Sequence, residues 1–90
     1  MAASRYVVRG TVQGVGFRWF VARQAERLGI KGWTVNLDDG TVEVVADGAG
    51  ESLSRLEELL ARGPSGAHVT GVEKHELSHH IDLPKAFTIK

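Results

Sequence analysis

Across residues 5–28 the hydrophobic pattern changes its period, and a glycine-containing break separates the two halves. Residues 5–12 alternate, with Tyr6, Val8, Gly10 and Val12 against Arg5, Val7, Arg9 and Thr11, the signature of a half-buried strand. Gln13-Gly14-Val15-Gly16 interrupts it. From Phe17 onward, Phe20, Val21, Ala25 and Leu28 recur at helical spacing until Gly29, a good helix-ending residue, stops the pattern. Each element has one apolar side to bury, so the helix must turn back over a sheet that contains the strand it has just left.

The rest of the chain supplies that sheet. Strands are expected over 30–37 and 41–47, joined at Asp38-Asp39-Gly40, whose Asp-Gly pair is a strong hairpin signal. Residues 51–62 set Leu53, Leu56, Leu59 and Leu60 on one helical side, with Arg55, Glu57 and Glu58 elsewhere, and Gly63-Pro64-Ser65-Gly66 ends that helix. Extended character returns over 68–77, a polar connection covers 78–85, and 86–89 form a short terminal strand. The order βαββαβ with a small extra strand predicts an α+β, ferredoxin-like sandwich: an antiparallel sheet with two helices on one face. In that topology the first and second strands run the same way on either side of the third. Their C-terminal ends therefore leave one sheet edge about 10 Å apart, which brings the glycine turn near Asn36.

Composition narrows the class. Ninety residues, 42% of them hydrophobic, suffice for one small core, so a single domain over 1–90 is expected. The 11 Lys and Arg balance 11 Asp and Glu, which leaves no basic footprint for a duplex, and any anion must be held by a local site. The absence of cysteine removes disulfides, thiolate nucleophiles and Cys-ligated metals. With no apolar leader and no membrane-length apolar run, a soluble cytoplasmic protein is expected, without membrane or nucleic-acid partners.

A turn between a strand and a helix N-terminus exposes unpaired backbone N–H groups, and two glycines let them converge as an anion nest. Arg18, in the first helical turn, adds a fork of charged donors. The combination suits a tetrahedral oxyanion, although a plain tight turn with a solvated arginine has the same spacing. The dinucleotide fingerprint fails because Trp19 stands where a third glycine is required, and the Walker loop fails for want of Gly-Lys-Ser/Thr.

The run Val8-Arg9-Gly10-Thr11-Val12-Gln13-Gly14-Val15-Gly16-Phe17-Arg18 resembles the signature of the acylphosphatase family. Gly32-Trp33-Thr34-Val35-Asn36 with Gly40-Thr41-Val42 is similar to its second motif, departing at Thr34 and Val35, where the family prefers a small apolar and then a long polar residue. The resemblance spans the chain. It implies that Arg18 binds phosphate, that the backbone of Gln13, Gly14, Val15, Gly16, Phe17 and Arg18 forms the phosphate cradle, and that Asn36 orients the attacking water. It also implies a monomeric enzyme that hydrolyses small acyl phosphates to carboxylate and inorganic phosphate, with phosphate as product and inhibitor and with no cofactor or metal. Similar domains also occur inside larger proteins that process carbamoyl phosphate.

Two other signals need weighing. His75-Glu76-Leu77-Ser78-His79 matches the zinc motif H-E-x-x-H, but that chemistry needs a helix and a third ligand, whereas the surrounding residues read as strand and loop. Small RNA-binding modules share the fold but carry stacking aromatics on their first and third strands. Here the third strand has none, and the first has only Tyr6, on the side expected to be buried. Trp33 and Val45 are expected on the open sheet face.

Overall fold

The computed structural model describes residues 2–77 and 82–90. The elements are β1 (Ala2–Thr11), α1 (Phe17–Arg27), β2 (Lys31–Asn36), β3 (Val42–Gly48), α2 (Gly50–Arg62), β4 (His68–Leu77) and β5 (Thr88–Ile89). The sheet order is β4-β1-β3-β2-β5, with β1 antiparallel to both β3 and β4, and β2 antiparallel to β3. This is the expected ferredoxin-like arrangement. The short β5 lies parallel to β2, pairing Trp33 with Thr88 and Thr34 with Ile89, so the complete sheet is mixed.

Alternation explains the core. Tyr6, Val8, Val12, Val42, Val44 and Ala46 project from one sheet face against Phe17, Val21 and Ala25 of α1 and Leu53, Leu56 and Leu60 of α2. A fully enclosed side chain such as Phe17 or Leu56 contributes about 1.5–3 kcal/mol through burial. Tyr6 keeps its hydroxyl satisfied by donating to Glu57 Oε2 at 2.7 Å, and Lys74 Nζ lies 2.9 Å from the same oxygen. Burial raises the Glu57 carboxyl, but the bonds from Lys74 and Tyr6 outweigh it and hold it below the usual range. No described helix is long and apolar enough to cross a membrane.

The structure departs from simple alternation in three places. Val7, on the polar side of β1, is buried, as is Val45, because cross-strand pairs cover the open face. Arg5 Nε donates to Glu43 at 2.6 Å and Arg9 Nε to Glu73 at 2.9 Å, and these two glutamates are the cross-strand partners of Val7. Gly10, grouped with the inward residues, is exposed at a bulge between Arg9 and Gly10. Its φ is 126°, and a Cβ there would meet the His68 carbonyl oxygen at 2.0 Å, so the close approach of β4 demands glycine. Finally, β1 begins at Ala2 because it pairs Ala2 with Gly48 and Ala3 with both Asp47 and Leu77, partners that no local pattern supplies.

His75 to Leu77 are strand, and His75 Nε2 lies 3.3 Å from Glu73 Oε2. His79, the motif's second histidine, lies outside the described residues. Trp33 is partly buried on the open face, with Lys90 Nζ 4.1 Å from its ring centroid.

Candidate active site

β1 and β2 both run antiparallel to the central β3, so both end at one sheet edge. After Thr11 the chain makes the glycine turn and enters α1 at Phe17. Gly14 and Gly16 both have φ 76°, and a Cβ at either would meet no atom within 4 Å. Backbone conformation, not crowding, is what favours glycine here. Gly16 is the N-cap of α1, with no side-chain cap and no acidic residue in the first turn. Among the described residues, the backbone N–H groups of Gly14 to Trp19 donate to no other backbone group, leaving a cluster of unspent donors.

The turn is tied to the β2–β3 hairpin by Gln13, whose Nε2 donates to the Leu37 carbonyl at 2.8 Å and to the Thr41 carbonyl at 2.9 Å. That hairpin closes through Asp39, which accepts from the Thr41 hydroxyl at 2.6 Å and the Thr41 N–H at 3.0 Å. These bonds, the hydroxyl's first, hold the Asp39 carboxyl below its ordinary value. Asn36, the last residue of β2, is thereby set opposite the turn.

Between them lies a cavity of about 190 Å³ lined by Val12, Gly14, Gly16, Phe17, Arg18, Trp19 and Asn36. The structure thus gathers Arg18, Asn36 and most of the expected cradle. Gln13 and Val15 are absent from that lining: the Gln13 side chain is bound to the hairpin, and the Val15 side chain packs against the core. Arg18 Nη1 donates at 2.7 Å to the Lys90 main-chain oxygen, and no side-chain carboxylate pairs with Arg18 among the described residues. Lys90 is itself anchored, its N–H donating to the Thr34 carbonyl at 2.8 Å. Asn36 Oδ1 is buried and has no hydrogen-bond partner among the described residues.

The two departures from the motif are accounted for. Thr34 is fully buried and donates from its hydroxyl to the Glu43 carbonyl at 3.0 Å, while Val35 faces the other side of β2. Neither lines the cavity. Trp19 does, at 69% exposure, although neither motif gives it a role. The available signal was its position on the helical wheel, outside the apolar stripe of Phe17, Phe20, Val21 and Ala25.

Fold and site together define an α+β sandwich in which an uncapped helix N-terminus, an arginine without a side-chain carboxylate partner and an asparagine line one small cavity. A family model described as Acylphosphatase matches residues 4–89, and the chain belongs to that family. It is 54% identical over 71 residues to an acylphosphatase of Paraburkholderia xenovorans, covering 79% of this chain and 73% of the relative. The crystal structure of the Bacillus subtilis acylphosphatase superposes with a TM-score of 0.94 at 36% identity, covering 100% of this chain and 99% of that one. HypF of T. kodakarensis, a much larger protein, also matches: TM-score 0.85 and 34% identity over 100% of this chain and 12% of HypF.

Proposed function

We propose that this chain hydrolyses the carboxyl–phosphate bond of acyl phosphates, with the phosphoryl group held in the cavity at the α1 N-terminus. Family membership supports the reaction. The observation that carries the site is that one cavity is lined by the glycine turn with its unspent N–H groups, by Arg18, which has no side-chain carboxylate partner, and by Asn36, whose Oδ1 has no hydrogen-bond partner among the described residues.

A dianionic phosphoryl group entering this cavity gains N–H donors, the positive end of α1 and the Arg18 fork. Asn36 Oδ1 accepts one water O–H and so aims a lone pair of the water oxygen at phosphorus. The water oxygen bonds to phosphorus as the phosphorus–acyl oxygen bond breaks, and the carboxylate departs with the electron pair. The water's proton is lost to solvent or to the phosphate product. Charge develops on the equatorial oxygens, where fixed donors act most strongly. A carboxylate is stable near its reference pKa of about 4, so its departure needs no general acid. Arg18, Asn36 and the backbone suffice.

Phosphate release from benzoyl, acetyl and carbamoyl phosphate, with p-nitrophenyl phosphate as a monoester control, tests the reading. The anhydrides should turn over, the monoester should be nearly untouched, and inorganic phosphate should compete. Turnover should survive chelation, and a variant lacking His68, His75, His79 and His80 should trace the wild-type pH profile. Comparable monoester turnover, or a pH step lost with the histidines, would show that a general acid takes part.

A further inference from the structure

A second cavity, of about 350 Å³, continues from the first along α1. The two share Gly16 and Trp19, and the second adds Phe20, Arg23, Arg27 and Pro64 to its walls. Its volume lies within the range of small-molecule sites. Trp19 presents its ring to solvent at the junction, at 69% exposure.

The two arginines are not explained by the fold. Arg23 and Arg27 lie four residues apart on one helix face, where like charges destabilise a helix by about 0.2–0.5 kcal/mol. Arg27, in the last turn, is compensated by the helix dipole; Arg23 is not. Among the described residues neither forms an ion pair or a side-chain hydrogen bond, and no acidic side chain lines this cavity. Trp19, Arg23 and Arg27 follow at intervals of four on one side of α1, and helical rise places Arg23 about 6 Å and Arg27 about 12 Å beyond Trp19 along the axis. That span suits an acyl group whose far end carries a second negative charge.

We infer that this groove is the subsite for the acyl group, and that it favours acyl phosphates bearing a second anionic group, read by Arg23 and Arg27 across the face of Trp19. The inference rests on the acyl phosphate reading above, since it assumes that phosphate occupies the neighbouring cavity. An aromatic or flat acyl group stacks on Trp19, and its distal carboxylate or phosphate meets the two guanidinium groups.

The test compares kcat/KM for 4-carboxybenzoyl phosphate and benzoyl phosphate, which differ only in the distal carboxylate. In the Arg23→Gln/Arg27→Gln variant the carboxylated substrate should lose about threefold more than benzoyl phosphate, the scale of an exposed charge pair. A control removing two cations elsewhere, Lys31→Gln/Arg55→Gln, should leave the ratio of the two substrates unchanged. Trp19→Ala should raise KM for benzoyl phosphate relative to acetyl phosphate. The single Arg23→Gln change, between good helix formers, gives the same reading at smaller amplitude. Equal losses for both substrates in the double variant, with turnover intact in the wild type, overturn the subsite alone. A wild-type protein that hydrolyses no acyl phosphate overturns the underlying reaction and the subsite with it.

Discussion

The fold contains two strand-to-helix connections, and they are built to opposite specifications. At the start of α2, Ala49 caps in an extended conformation with φ −63°, and Glu51 in the first turn complements the helix dipole. At the start of α1, Gly16 caps in the left-handed region with φ 76°, no acid follows, and Arg18 occupies the first turn. A cation there works against the dipole. The two helices leave opposite edges of the sheet, because β1 and β3 are antiparallel. Only the α1 edge meets the end of β2 and Asn36. One connection is arranged for stability; the other forgoes that stabilisation, leaving its N–H donors without backbone acceptors and setting a cation among them.

Exchanging first-turn charges should give the largest contrast. Arg18→Gln should reduce acyl phosphate turnover by about 10²–10³, since it removes a charged donor from the transition state. Glu51→Gln should leave turnover intact and lower the melting temperature slightly. An Arg18→Gln protein that keeps half the wild-type rate would falsify the assignment of the α1 edge.

Asn36→Ala should reduce kcat by at least about tenfold while the inhibition constant of inorganic phosphate changes far less, because the amide oxygen is assigned to water and not to the product anion. Equal losses in both would move Asn36 into the phosphate cradle.

The two N-caps sharpen the comparison on the stability side. Gly16→Ala should cost about 1–2 kcal/mol in urea unfolding, the penalty of a left-handed alanine, since its Cβ meets nothing. Ala49→Gly, at an ordinary φ, should shift stability by no more than a few tenths. Matching costs at both caps would mean that crowding, not backbone conformation, selects the glycine.

The smallest expected effect concerns the hairpin that carries Asn36. The Asp39 carboxyl lies below its ordinary value of 3.8 because Thr41 donates to the ionised form. The folded value is therefore below the unfolded one. Its contribution to stability is complete above pH 3.8 and disappears as the pH falls through the folded value. Asp39→Asn should flatten the acid limb of the stability profile slightly. An unchanged limb would mean that the hairpin is held without this carboxylate.

Much of this was legible without coordinates. The period change across residues 5–28 located β1, the turn and α1, because burying one face of a strand and one stripe of a helix leaves its mark in local spacing. The Asp-Gly pair located the hairpin, and the glycine turn with Arg18 marked where N–H donors and a cation gather, since conformational freedom and charge are properties of single residues. What spacing does not encode is which side chains meet. The extension of β1 to Ala2 rests on partners in β3 and β4, and the parallel β5 rests on pairing with β2. The role of Gln13 as a strut to Leu37 and Thr41, the Lys90 oxygen that steadies Arg18, and the burial of Val7 between Glu43 and Glu73 are likewise long-range facts. The sequence by itself determined the elements and the chemistry available at the turn. Only the tertiary structure decided that the Asn36 oxygen is left without a hydrogen-bond partner among the described residues, and that Trp19, Arg23 and Arg27 line a groove beside the turn, because relative positions are set by sheet register and helix packing summed over the whole chain.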